Sequence, residues 1–303
     1  MSSDSGHAVR KDRRMALLKR AGLFSNDTQA STIVRATTVE DLLEAYKLTH
    51  NVFVEQGYIH ADVTGIRIRT FEALAETATF VAKGLTGIVG VTSVAVDSED
   101  MGLPTDKSFK EELDSLRSRG RIICEGTNWL VAPSHRSSAV MSELMRCSFA
   151  HAVNIGCTDF VGTVSPGHAR FYNLLGFETM GPQRSYSDKI DDQVVLVRLD
   201  LLGLGERFKD VKPDDDGVEG FLKKYYITDN PYHRYISTWK ILSDRLFGDP
   251  DKLREMFVDI GNFLPRCDAK SLEAVASRWG EEMLSNVWPE MDAAIGYRYL
   301  NLR

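Results

Sequence analysis

Apolar and polar positions alternate along the first two thirds of the chain in rhythms that switch between strand and helix. Thr32–Ala36 is β-branched and predicts a strand. Thr37-Thr38-Val39-Glu40 then offers a capping box, with Thr37 as cap and Glu40 three residues on. Val39, Leu42, Leu43, Tyr46 and Phe53 fall on one face of the helix that follows, and Gly57 is its natural stop. Thr79–Ala82 and Gly87–Val96 read as two strands joined by a glycine-containing turn. Leu103-Pro104 to Arg119 is a charged insertion with a helix near Ser108–Leu116. Arg121–Val131 is the next strand. Ala132-Pro133-Ser134 turns into a helix cap, and Arg136–Ile155 is a long helix. Thr158–Val164 has the continuous apolar character of a buried strand. Ser165-Pro166 opens a helix with proline at its first position, Gly176 ends it, and Phe177–Met180 begins a strand. Gln193–Leu201, with the apolar run Val194–Val197, is the last strand.

This order predicts an α/β (α+β) fold, a mixed sheet with helices on its faces. Beyond Leu202 the pattern changes. Asp210–Asp216 is a charged linker containing Pro213, and helical periods follow at Val218–Tyr226, Arg234–Leu246, Asp251–Phe263 and Ala269–Leu284. At the other end, Arg10, Lys11, Arg13, Arg14, Lys19 and Arg20 surround Met15, Leu17, Leu18 and Leu23, which reads as an amphipathic helix with a cationic face. Such a segment is either a solvated tail or a dock for an acidic partner or a membrane surface. The chain therefore divides into a basic arm and linker (1–30), a mixed-sheet domain (31–202) and an all-helical extension (203–303).

With 303 residues, 43% of them hydrophobic, the chain can hold one large domain or two modest ones. Its formal net charge of −6 argues against nucleic acid as a partner. No apolar run of the roughly 18 residues that a spanning helix needs occurs, and the N-terminus lacks a signal-peptide core. None of the four cysteines, Cys124, Cys147, Cys157 and Cys267, forms a C-x-x-C pair, so no zinc site is expected, and cysteines this sparse suit a reducing cytoplasm.

The strand, turn and helix of Arg121–Met145 suit amide formation from a thioester. A splayed strand can bond a pantetheine amide through its backbone, and a helix N-terminus can take a phosphate. Here the chain resembles the GNAT acyltransferase superfamily. The strand order matches that fold throughout Ser31–Leu202, and Phe171-Tyr172-Asn173-Leu174-Leu175-Gly176-Phe177 is similar to its F-Y-x-x-L-G-F corner. More narrowly, Asp97 through Leu103-Pro104, Leu113-Asp114-Ser115-Leu116-Arg117, Gly120-Arg121, Glu125 and Ser165-Pro166-Gly167-His168 resemble the N-acyl amino acid synthases, relatives of acyl-homoserine lactone synthases. The resemblance implies a GNAT-like, mostly antiparallel sheet. It also implies an acyl donor carried as the phosphopantetheine thioester of acyl carrier protein, or as acyl-CoA, with no permanently bound cofactor. Neither the arm nor the C-terminal helices are covered.

The chain departs from the superfamily at its pyrophosphate loop. Where R/Q-x-x-G-x-G/A is usual it has Arg136-Ser137-Ser138-Ala139-Val140-Met141, lacking both glycines that let phosphates approach the backbone. A carrier-bound pantetheine has a single phosphodiester, which Arg136, Ser137 and Ser138 suffice to hold; the alternative is a degenerate loop that binds nothing. The resemblance makes Glu125 the general base for the amine. It is followed by Gly126-Thr127-Asn128, with Thr127 as the hydroxyl residue and Asn128 in place of the family's arginine. Otherwise Glu125 is a salt-bridged surface carboxylate. Tyr172 is by the same resemblance the general acid for the thiolate, or else a core aromatic. His168 lies one turn before Tyr172 and is either part of a polar cleft wall or an ordinary surface histidine. Trp129 and Val131 sit where strand backbone would meet pantetheine, or are core. Cys124 adjoins Glu125 and so points to the opposite sheet face, which argues against a covalent cysteine mechanism. The aromatics Tyr225, Tyr226, Tyr232, Tyr235 and Trp239 either cover an acyl tunnel or meet a carrier protein, or pack as ordinary helices or a dimer surface.

The expected reaction moves a long acyl chain from acyl carrier protein to the α-amine of an amino acid. Its rivals are a CoA-dependent N-acetyltransferase, an acyl-homoserine lactone synthase and an inactive binding module. The geometric expectation is a slot between the Arg121–Val131 strand and the helix after it, with Glu125 and Tyr172 facing into it.

Overall fold

Seven strands form one sheet in the order β1-β2-β3-β4-β5-β7-β6. The computed structural model describes residues 13–20, 23, 25, 27–136, 138–187 and 190–291, and only the backbone at 187 and 190–192. The strands are β1 (Thr32–Arg35), β2 (Ala78–Gly84), β3 (Gly87–Val96), β4 (Ile123–Val131), β5 (Asp159–Val164), β6 (Glu178–Ser187) and β7 (Ile190–Asp200). β4 and β5 run parallel, and every other neighbouring pair is antiparallel. This is the expected mixed, mostly antiparallel, GNAT-like sheet.

Helix α1 (13–20) precedes the sheet. Helices α2 (Val39–Glu55) and α3 (Asp106–Arg117) cover one face, and α4 (Val140–Asn154) and α5 (Pro166–Leu174) the other. The side-chain cap of α2 is Thr38, whose Oγ1 accepts from the Asp41 N–H at 3.2 Å, one residue later than the sequence pattern suggests. Helix α4 also starts later than expected. Pro133–His135 first forms a 3-10 turn, and the Ser138 hydroxyl then donates to the His135 carbonyl at 2.7 Å. Gly90 on β3 lets α4 sit close, because a Cβ there would lie 2.9 Å from Val140 Cγ1.

Arm and extension both pack on this core. Leu18 of α1 is fully buried, and Arg14 donates to the Leu174 carbonyl at 2.7 Å while Arg13 and Arg20 stay exposed. The apolar side of that helix is thus turned inward. Arg10 and Lys11 lie outside the described residues. The C-terminal region contains α6 (Leu204–Phe208), α7 (Val218–Lys223), α8 (Ile236–Phe247), α9 (Pro250–Arg254), α10 (Ala269–Trp279) and α11 (Glu281–Val287). Two π-helical turns, Lys224–Thr228 and Glu255–Ile260, continue α7 and α9. Tyr225, Tyr226 and Tyr232 donate to Ser142, Leu175 and Glu143, so this aromatic group is welded to α4 and the end of α5. Later helices close over α2 in a second apolar cluster that includes Leu253, Phe257, Val275 and Trp288. Among the described residues no helix is long and apolar enough to cross a membrane.

Candidate active site

Parallel pairing of β4 with β5 covers only Ile123, Cys124 and Glu125 opposite Asp159, Phe160 and Val161. Beyond Glu125 the two strands part. The closed end is pinned by charge: Arg121 reaches the fully buried Asp159 at 2.5 Å and also pairs with Asp200, and Arg198 holds the other oxygen of Asp159. The open end is a cavity of about 430 Å³ lined by residues of β4 and β5, of α5, and of the segment after α2. The cavity therefore lies between two strands, with α5 as its wall, and not between β4 and the helix after it as the sequence suggested. Of α4, only Met141 contributes to its lining.

A bulge sorts the β4 side chains between the two walls. Thr127 pairs with Ser93 and Leu130 with Val91, so Asn128 and Trp129 together oppose Thr92. Asn128 takes the left-handed φ of +55°. Thr127 and Asn128 thereby share the face of Glu125, and the alternation resumes one residue out of phase. Trp129 joins the α4–α5 side, where strict alternation would have sent it to the other. Gly126 forms the floor: a Cβ there would lie 2.6 Å from the Phe160 ring and 2.9 Å from Trp129.

Glu125 is buried, with 2% exposure, and its Oε2 accepts the Thr105 N–H at 2.9 Å. Burial pushes its carboxyl up to about 7, opposed by the Thr105 hydrogen bond and the nearby Arg69 charge. Thr105 is held in place by the charged insertion. Arg117 donates to both oxygens of Asp97 and of Asp106, each at 2.7 Å, which ties the Asp97–Pro104 loop to α3. The residues that carried the subfamily resemblance are thus the frame around the donor to Glu125. Cys124 points the other way into the core, and burial raises its thiol well above the usual range.

Beside Glu125 stands a polar wall whose members are far apart in sequence. Glu72, 1% exposed, accepts from Arg69 through two nitrogens and the backbone N–H, and from Asn128 Nδ2 at 3.0 Å. Arg69 also reaches Thr127 Oγ1 at 3.4 Å. Arg67 donates to Asn128 Oδ1 at 2.8 Å, lies over the Phe53 ring at 5.1 Å and faces the cavity. Sequence reasoning missed Arg67, Arg69, Glu72 and Thr105. Only the paired spacing of Arg69 and Glu72 left a local trace.

The opposite wall is aromatic. The Tyr172 ring stacks on Trp129 at 5.8 Å and meets Phe171 and Phe177 edge-on. Burial raises the Tyr172 phenol above its usual range, so it is a neutral donor, and no partner holds its hydroxyl among the described residues. The Trp129 Nε1–H is buried and has no partner among the described residues. His168 is exposed at the rim, with Nδ1 2.8 Å from Ser165 Oγ.

The structure brings Glu125, Thr127, Trp129, His168 and Tyr172 to one cavity. It does not bring Val131 there: that side chain is 5% exposed, in the core beneath α4. Arg136 is exposed before α4 and outside the cavity lining. Ser138 is buried with its hydroxyl used in the turn, and Ser137 lies outside the described residues. Among the described residues no group of His, Cys, Asp and Glu could hold a metal ion.

A sheet split after one parallel pair, with a bulged strand on one side and an F-Y-x-x-L-G-F corner on the other, is the architecture of GNAT-type acyltransferases. The sequence profile of the family described as "N-acyl amino acid synthase FeeM" matches residues 44–200, slightly more than half of the chain. The chain belongs to that family, and it is an N-acyltransferase. Among solved structures, FeeM, an N-acyl amino acid synthase from uncultured soil microbes, is 20% identical, with 56% of this chain and 91% of that chain covered and a TM-score of 0.50. BjaI, a CoA-dependent acyl-homoserine lactone synthase, is 14% identical over 66% of this chain and 100% of its own, TM-score 0.43. A GNAT-family acetyltransferase from Streptococcus pneumoniae is 16% identical over 56% and 98%, TM-score 0.40. No curated protein sequence gives a significant match.

Proposed function

We propose that this enzyme moves a long acyl chain from the phosphopantetheine thioester of acyl carrier protein to the α-amine of an amino acid. Residues 31–202 would carry the reaction, with 1–30 as an arm and 203–303 as a helical addition. The observation that carries this reading is that Glu125 and Tyr172, from opposite faces of the sheet, line the same cavity where β4 and β5 separate. A carboxyl held near 7 is matched to taking a proton from an amine at neutral pH. Free backbone groups of the parted β4 strand then face the thioester and hold the oxyanion. Tyr172, whose phenol is a weaker acid than a thiol, serves as a hydrogen-bond donor to the departing thiolate rather than giving up its proton in full. Trp129 and Phe171 give the donor arm apolar walls. Arg136 is left to meet its single phosphate, and exposed Arg13 and Arg20 suit an acidic carrier surface. Four buried cysteines, none in a disulfide among the described residues, suit a cytoplasmic setting.

The test is thiol release from acylated carrier protein and from acyl-CoA of matched chain length, with single amino acids as acceptors and mass spectrometry of the product. Release that requires an amino acid and gives its N-acyl derivative is the expected result. A requirement for S-adenosylmethionine, or no release with any acceptor, would overturn the reading.

A further inference from the structure

Arg67 stands out among the groups around the cavity. It projects from the segment between α2 and β2, just before the short 3-10 helix Thr70–Ala73. Three things aim its guanidinium at the cavity: the Asn128 Oδ1 it donates to at 2.8 Å, the Phe53 ring beneath it, and its own N–H bonded to the Tyr46 carbonyl at 3.2 Å. Unlike Arg69, which has Glu72, Arg67 is paired with no carboxylate among the described residues. A half-buried cation left unpaired is costly, and the cost is recovered when an anion arrives. Burial and the neighbouring Arg69 charge bring its guanidinium down to about 10, still cationic at neutral pH.

Much of what fixes this segment comes from beyond the family-matched residues. Arg266 grips Asp62 at 2.8 and 3.1 Å, Ser271 Oγ lies 2.7 Å from Thr70 Oγ1, and the Trp279 Nε1–H donates to the Ala73 carbonyl at 2.9 Å. The C-terminal helices therefore hold both ends of the strip that carries Arg67 and Arg69.

We propose that Arg67 is the anchor for the acceptor's α-carboxylate, positioned by Asn128 and by the C-terminal helices. This rests on the reading of the enzyme as an amino acid acyltransferase. The pairing has a simple logic. Glu125, once ionised, attracts the acceptor's ammonium and repels its carboxylate, so an amino acid needs a fixed cation on the same wall. Arg67 and Glu125 then bind the two ends of the zwitterion in one orientation, amine toward the thioester. A guanidinium can hold a carboxylate through two parallel N–H bonds, which an ammonium cannot do.

The test compares one amino acid with its own carboxamide as acceptors for the same acylated carrier protein. In the wild type the amino acid is favoured in kcat/KM by about 100-fold, because the carboxamide leaves Arg67 unpaired. Arg67→Met brings the ratio close to one, mainly through the KM of the amino acid, and Arg67→Lys restores part of it. If Arg67→Met fails to fold, the wild-type ratio and Arg67→Lys still decide. Equal use of acid and carboxamide by a wild type that acylates both overturns the anchor and leaves the proposed reaction standing. A wild type that acylates neither overturns both.

Discussion

The two walls of the cavity are built on opposite principles. On the Glu125 side, hydrogen bonds link Arg67, Arg69, Glu72, Thr127 and Asn128 to one another and Thr105 to Glu125, joining three separate stretches of chain. On the Tyr172 side, Trp129, Phe160, Phe171 and Phe177 touch only through rings, and the Tyr172 hydroxyl and Trp129 Nε1–H have no partner among the described residues. The polar wall is preorganised: its charges are fixed before substrate arrives, as electrostatic catalysis requires. The aromatic wall is a smooth surface with two free donors, suited to an apolar acyl chain and one thioester. Losses on the first wall should thus be large and coupled, and on the second small and separate.

The largest expected effect is on Glu125. Glu125→Gln should lower kcat by about 10²–10⁴-fold at neutral pH with the fold intact, since an uncharged amide keeps the Thr105 hydrogen bond but cannot take a proton. Stopped thiol-release assays and a melting curve on the same sample separate the two. Next comes Glu72→Ala, which leaves the half-buried Arg69 without its partner and should cost roughly 3 kcal/mol in denaturant unfolding. An unchanged midpoint would mean that the polar wall is not the coupled unit described here. Tyr172→Phe should reduce kcat only about tenfold and spare the amino acid KM, because it removes one hydrogen bond and no packing. A loss as deep as that of Glu125→Gln would erase the contrast between the walls.

Most of the scaffold could be read from the chain, because strands and helices announce themselves within a few residues. Gly87–Val96 and Pro166–Leu174 follow from local period and from proline at a helix start. The opposed directions of Cys124 and Glu125 follow from strand alternation alone. The bulge could not be read this way. Asn128 adopts a left-handed backbone with neither glycine nor proline to mark it, and it is fixed by Glu72 and Arg67, some 60 residues earlier in the chain. Arg67 was hidden for the same reason: its importance lies in its position beside the cavity, and nothing in residues 62–69 gives that position away. The slot itself moved from strand and helix to strand and strand, because the depth of β4–β5 pairing is a tertiary quantity. Conversely, the Asp97–Arg117 motif, legible as a family mark, turns out to frame Thr105.

In the proposed mechanism Glu125 is a carboxylate tuned by burial to work as a base. The pH dependence of kcat for amide formation tests it most directly. As pH rises, Glu125 loses its proton and becomes competent, so kcat should climb through an apparent value near 7 and then level off. Thr105→Pro removes the N–H that favours the charged form and should move this limb upward by about one unit. Glu125→Gln should abolish the limb. A Glu125→Gln enzyme that retained both the wild-type rate and the same rise near pH 7 would show that Glu125 is not the base.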